Sequence, residues 1–302
     1  MTAQRGFTLI ELAIVLVIVT ILIGGLAVPL SAQIQARRIA ETNKTLEEAR
    51  EAIIGYTMSH TTTTCTCAYT SGALDSPPAT TCPTNLCPPL VTGTATLTIS
   101  PRHYLPCPDL NGADPEPDQD NDGVDGLRDI NNGVEDRYKT GSNVGRCAAS
   151  AGHLPWVTLG TAAQDAWGNR LHYSLTDIPA ATMYGNSSTG FSNSSTGNNH
   201  VCITGAGGCG TGTVASNVPA VLVSYGPNSR GARNINIAEG SPTPAPPLET
   251  SPDELENTDA DTGFVSRAPT KADSASGEFD DLVVWISDGL LKSRVCPSGG
   301  CP

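Results

Sequence analysis

Aromatic and basic residues are scarce in this chain. Phe, Trp and Tyr make up 5% of its 302 residues, and 17 Lys and Arg stand against 30 Asp and Glu, a net charge of −13. With no basic patch beyond scattered arginines, nucleic-acid binding is not indicated, because that function needs a concentrated positive surface. Few aromatics beside 31 Gly and 23 Pro predict a modest β core with long irregular connections, not a large enzyme core. Catalytic patterning is also missing. The five histidines, His60, His103, His153, His172 and His200, have no metal-type spacing. No nucleophile elbow occurs. Gly205-Ala-Gly-Gly208 lacks the preceding strand and following helix that dinucleotide binding requires. A non-enzymatic protein is expected.

What the chain does have is a long apolar run. From Phe7 to Val28 the only ionisable side chain is Glu11. The run is long enough for a membrane span of about 20 residues. A carboxylate at membrane depth costs about 2.5–3.5 kcal/mol, so a partner for it is expected. A secretory signal peptide fits poorly: one arginine precedes the run, an acid interrupts it, and Gly25-Leu26-Ala27 is a weak cleavage site just before Pro29. A plain single-span anchor, with its Glu snorkelling to the surface, is a second alternative. A buried helix of a soluble protein is disfavoured because the run has no polar face.

The string Gly6-Phe7-Thr8-Leu9-Ile10-Glu11-Leu12, behind a short leader ending Arg5-Gly6, resembles the processing site of type IV pilins and of the pseudopilins of type II secretion. The resemblance implies cleavage between Gly6 and Phe7 by a prepilin peptidase, with methylation of the new Phe7 amine. It also implies a single pass through the inner membrane, with the head in the periplasm and Arg5 on the cytoplasmic side. An inner-membrane assembly platform would then extract the helix, and other pilin or pseudopilin subunits would polymerise with it into a periplasmic or cell-surface filament. Glu11 gains a role in such a bundle: it meets the amine of a neighbour shifted along the axis and fixes the register. The resemblance further implies that a topmost subunit can dispense with the acid, so a chain that keeps Glu11 sits below another.

The organisation expected is a leader at 1–6, a transmembrane and assembly helix at 7–29, an amphipathic helix at 30–60 and a head at 61–302. Pro29 and the Gly24-Gly25 pair are expected to loosen or kink the helix. Beyond them Ile39, Leu46, Ala49, Ile53 and Tyr56 recur as one helix face. Apolar runs at 154–159, 170–175, 220–225 and 281–287 read as strands. Asp165-Ala-Trp167-Gly168-Asn169, followed by Leu171-His-Tyr173, resembles the D-P-W-G-N-P-Y segment of major pseudopilins, with Ala166 in place of proline. Ser224-Tyr-Gly226-Pro-Asn228 resembles their S-x-G-x-D turn. Segment 238–280, opening on Ser241-Pro-Thr-Pro-Ala-Pro-Pro247, reads as a Pro-rich, acidic surface insertion, and 187–199 as a Ser/Thr/Asn loop.

Ten cysteines behind a membrane segment point to an oxidising compartment and disulfides. Local spacing invites Cys202–Cys209, Cys296–Cys301 and Cys107–Cys147. Cys65, Cys67, Cys82 and Cys87 remain, their pairing open; their spacing is wrong for a common zinc ribbon. The acidic stretch 109–136 holds ten acids and one base. Within it Asp118, Asp120, Asp122, the Val124 backbone and Asp129 fall at positions one, three, five, seven and twelve of a calcium loop, with Gly123 at six. This resembles EF-hand-like or thrombospondin-repeat-like loops, with Asp129 in place of the bidentate Glu. A solvated acidic loop is the alternative. Asn131, Glu135 and Asp136 are added candidates for a second, weaker site. Major pseudopilins place calcium after the S-x-G-x-D turn, which nominates Asn228, Asp280 and Asp281 here.

Together these features describe an α+β chain: a long N-terminal helix, transmembrane then amphipathic, packed on a small antiparallel sheet head with long disulfide-tied loops. The expected role is a filament subunit, of minor type because the head is elaborate, with calcium as its cofactor. The alternative is a surface-displayed adhesin or ligand-binding protein on the same helix, recognising its target through the Thr- and Cys-rich stretch 61–87 or through 187–199.

Overall fold

The structure is a computed structural model that describes residues 9–62, 65–70, 73–74, 87, 95–110, 132–138, 145–176, 184–205, 209, 212–234, 250–259, 261–296 and 301. Helix α1 spans Leu9–Ser59, 51 residues without interruption, about 76 Å at 1.5 Å per residue. Pro29 does not end it: one lost i→i−4 bond is tolerated inside so long a helix.

The two halves of α1 differ in surroundings. Large apolar side chains between Leu9 and Leu22 are 41–91% exposed. Further on, Thr42, Leu46, Ala49, Ile53 and Thr57 are buried at helical steps of three and four, with Ile54 beside them. The face differs from expectation at its end: Thr57 turns inward and donates to the Ile53 carbonyl at 2.7 Å, while the Tyr56 hydroxyl reaches Glu135 at 2.8 Å. Among the described residues no helix is long and apolar enough to cross a membrane. The described side chains of the apolar run end at Leu22, so this does not decide the transmembrane reading of 7–29.

The lower half of α1 packs on a four-stranded antiparallel sheet. Its strands are β4 (Ala151–His153), β5 (His172–Leu175), β8 (Ala220–Ser224) and β10 (Leu282–Ile286), in the order β10-β8-β5-β4. All five residues of β8 are buried, which is why it reads as an unbroken apolar run. Ala220 and Leu222 join Tyr173, Leu175, Ile286 and the α1 face. Val221 and Val223 point the other way, to Val201, Val218, Tyr225 and Phe264.

That second cluster lies under a further sheet, β7-β6-β9, formed by β6 (Asn199–Cys202), β7 (Thr213–Val218) and β9 (Gly263–Val265). Strands β6 and β9 run parallel, so the head is not purely antiparallel. Strand β9 and the short helix α3 (Pro252–Glu256) both come from the segment expected to be a surface insertion. The sheet needs cover for Val221, Val223 and Tyr225, and Phe264 supplies part of it from within an acidic stretch, beside Val201 and Val218. A small antiparallel sheet, β2-β1-β3 (Ala73–Leu74, Cys65–Thr70, Ala95–Ile99), stands apart.

The strand expected at 154–159 is instead a two-residue link after β4, Leu154-Pro155, followed by helix α2 (Trp156–Leu159). Leu154 still pairs with the Leu171 carbonyl at 2.9 Å. Pro155 has no N–H to extend the ladder, and Gly160, at φ 65°, closes the helix. Helix α4 (Asp288–Val295), capped by Ser287, returns Leu291 and Val295 to the α1 core. Disulfides join Cys67–Cys87, Cys107–Cys147, Cys202–Cys209 and Cys296–Cys301. Cys65 lies in β1, and Cys82 lies outside the described residues.

Candidate functional site

Two short turns, distant in sequence, are bonded into one unit at the end of the main sheet. In the first, Asp165 Oδ1 accepts from the N–H groups of Trp167 and Asn169, both at 2.9 Å. Gly168 takes φ 87°, in the left-handed region. The turn rests on α1, where Ala166 N–H donates to Thr42 Oγ1 at 3.2 Å. The second turn begins at Ser224, whose hydroxyl donates to Asp165 Oδ2 at 2.7 Å. Asn169 Nδ2 reaches the Gly226 carbonyl at 3.3 Å and Ser229 Oγ at 2.9 Å. The segments at 165–169 and 224–228 therefore form a single bracket between α1 and the loop that follows β8.

That bracket positions a group of carboxylates. Gly226 is tight against Asp280, whose backbone oxygen a Cβ would strike, so the turn approaches closely only with glycine there. Asn228 N–H donates to Asp280 Oδ2 at 3.2 Å, and Asn228 Nδ2 donates to Glu254 Oε1 at 2.9 Å. Its own Oδ1 accepts from Arg230 N–H at 2.9 Å, so Asn228 acts here as a bracket for the two acids. Asn257 Nδ2 holds Asp281 Oδ2 at 2.8 Å. Oxygens of Glu254, Asp280 and Asp281 lie within 4.8 Å of one another, and among the described residues this is the one such group of three or more metal-type side chains.

The electrostatics are costly without a counter-charge. Burial, then Glu254, pushes Asp280 up to about 7. Burial also raises Asp281 well above the usual carboxylate range, opposed by the Asn257 hydrogen bond and reinforced by Glu254 and Asp280. Glu254 is raised chiefly by burial, with Asn228 opposing. Glu254 Oε2 and Asp280 Oδ1 are buried with no hydrogen-bond partner. Convergent carboxylate oxygens with unused lone pairs fit a hard divalent cation such as calcium.

Glu254 and Asn257 escaped the sequence reading because 252–262 looked like solvated acidic loop. The signal available was Ser251-Pro252 ahead of Asp-Glu-Leu, a helix-start pattern that α3 fulfils. Of the other candidates, Gly6, Phe7, Asp118, Asp120, Asp122, Val124 and Asp129 lie outside the described residues. Glu11 sits on α1, exposed. Glu135 and Asp136 are engaged elsewhere. Glu135 Oε2 accepts from Cys107 N–H at 2.8 Å and pairs with Arg137, while Asp136 Oδ2 accepts from Leu110 N–H at 2.6 Å. With Asp109, which accepts from Gly133 N–H at 3.0 Å, they clamp the chain on either side of the acidic stretch.

Residues 1–27 match the family model of the prokaryotic N-terminal methylation motif. This motif is typical of the precursors of type IV pilins and pseudopilins, which are processed at the N-terminus. No curated protein and no solved structure matches the chain.

Proposed function

We propose that this chain is a structural, non-enzymatic subunit of a type IV pilus or type II secretion pseudopilus, of minor type. Prepilin peptidase would cut between Gly6 and Phe7, and α1 would hold the subunit in the inner membrane through the run from Phe7 to Val28 until it polymerises. The observation that carries this reading is continuity. A methylation motif over residues 1–27 leads into a helix whose large apolar side chains from Leu9 to Leu22 are exposed, outside the packed head. Once the helix has left the bilayer those side chains need cover from other copies, worth about 25 cal/mol per Å² relative to water. The elaborate second layer of the head supports a specialised subunit over a minimal one. Calcium is proposed at Glu254, Asp280 and Asp281, whose unpartnered oxygens support it, with the 118–129 loop as a second candidate.

The test is Glu11→Ala in the full-length chain, expressed with its peptidase and platform. The variant should still be cut to begin at Phe7 and should keep a trypsin-resistant head, yet be lost from sheared filaments. Native protein that begins at Met1, or downstream of Ala27, removes the reading altogether.

A further inference from the structure

Between the exposed apolar stretch and the part of α1 that packs on the head, the helix presents Ile34, Arg37, Arg38 and Glu41 to solvent. Ile34 is 47% exposed. Among the described residues Arg37 and Glu41 enter none of the ion pairs. Ile34, Arg37 and Glu41 follow one another at steps of three and four and so share one side of the helix.

The spacing of these charges repeats that of the N-terminal pair. Phe7, whose amine cleavage would free, and Glu11 are four residues apart in sequence, and four residues of helix rise about 6 Å. If the amine of one copy meets Glu11 of the next, two parallel helices are offset by that distance. Every residue of the first then comes level with the residue four further on in the second. Arg37 comes level with Glu41, and Lys44 with Glu48. Lys44 and Glu48 already pair within their own helix at 3.3 Å. Glu47 comes level with Glu51, a like-charge meeting, but each is neutralised inside its own chain, Glu47 by Arg50 and Glu51 by Arg294 at 3.2 Å. Arg38 comes level with Thr42, which is buried against the head. The complementary charges left for a neighbour are Arg37 and Glu41.

We infer that Arg37 of one copy pairs with Glu41 of the adjacent copy, a second register contact at the same four-residue offset as the Phe7 amine and Glu11, with Ile34 extending the apolar contact beside it. The inference rests on the assembly reading above. Two positive charges placed level with two negative ones also oppose slippage by one turn, because a slip in either direction removes both pairs at once.

Charge reversal tests it in the full-length chain with its assembly machinery, with trypsin resistance of the head as the folding control. Arg37→Glu and Glu41→Arg should each lower the subunit recovered in sheared filaments by about fivefold. The double variant should return to within about twofold of the native level. Arg38→Glu makes the same charge change one residue away and should be milder. A double variant as defective as the single ones, or an Arg38→Glu defect equal to that of Arg37→Glu, overturns the pairing while a Glu11→Gln block on assembly still stands. Normal filaments from Glu11→Gln overturn the assembly reading itself, and this pairing with it.

Discussion

Glu254 and Asp280 each keep one buried oxygen without a partner, and the expected consequence is a stability that depends on pH and, on the calcium proposal, on cations. Asp280, raised to about 7 chiefly by burial, and Asp109, raised to about 8 by burial, have folded values above their ordinary 3.8. Such groups stabilise the fold while protonated, and that contribution is lost as pH rises through the folded value. His153 and His172, lowered by burial to about 3 and about 4 from 6.5, act in the opposite sense: their contribution is present above pH 6.5 and lost in acid. Below 6.5 the two trends oppose each other; above it only the carboxylates remain. The chain in chelator should therefore lose stability between pH 6.5 and 8, at up to about 1.4 kcal/mol per pH unit for each proton by which the two states differ. Calcium should restore it at pH 8, and Asp280→Asn should flatten the profile and weaken the calcium response. Urea midpoints at the two pH values, with and without calcium, decide this. Equal midpoints in chelator, and no calcium effect in a titration calorimeter, would remove the carboxylate centre as a cation site.

At the scale of elements, legibility in the sequence followed how each segment's composition matched its packing. Strands β8 and β10 were visible because their apolar β-branched residues lie on a sheet covered on one or both faces, and β5 because Tyr173 and Leu175 alternate toward the core. The Leu154–Leu159 run has similar composition, but Pro155 cannot donate to a ladder, so α2 forms instead. Helix α3 was hidden because its acids, which usually signal solvent, are here turned inward, with Asp253 3% and Glu254 1% exposed, and the three-residue strand β9 was hidden by the acidic stretch before it. Helix α1 was the clearest element, and its two halves make a direct comparison. Ile53 is fully buried in the core, and Ile34 lies open to solvent. Ile53→Ala should cost the head about 2–5 kcal/mol through lost contacts and a cavity. Ile34→Ala, the same truncation on the same helix, should stay within about 0.5 kcal/mol. Urea unfolding of the two variants, followed by far-ultraviolet dichroism, measures the difference. Equal losses would mean that the helix does not divide into a packed half and an exposed half.

For the whole molecule, the decisive relation is between the layers. The main sheet has two apolar faces. Helix α1 covers one, a relation readable from the helical spacing of Leu46, Ala49 and Ile53. The other is covered by β6, β7 and β9, and the last of these comes from a segment poor in hydrophobes, so no local pattern announces it. Phe264, 2% exposed, contributes from β9 beside Val201 and Val218, and β6 pairs with β9 in parallel. The same segment brings Glu254 to Asp280 and Asp281, so the cover and the carboxylate centre are one structure. A surface insertion would tolerate removal. This one should not. Replacing residues 250–278 with a short Gly-Ser linker would take Phe264 off Val221, Val223 and Tyr225, a large side chain worth roughly 1.5–3 kcal/mol when buried, and would bare the outer edge of β6. The shortened chain should lose its cooperative melt, bind a hydrophobic dye and aggregate, and calcium should no longer protect it. A shortened chain that melts cooperatively within a few degrees of the native one would show that the main sheet stands without its second layer and that the segment is an insertion after all.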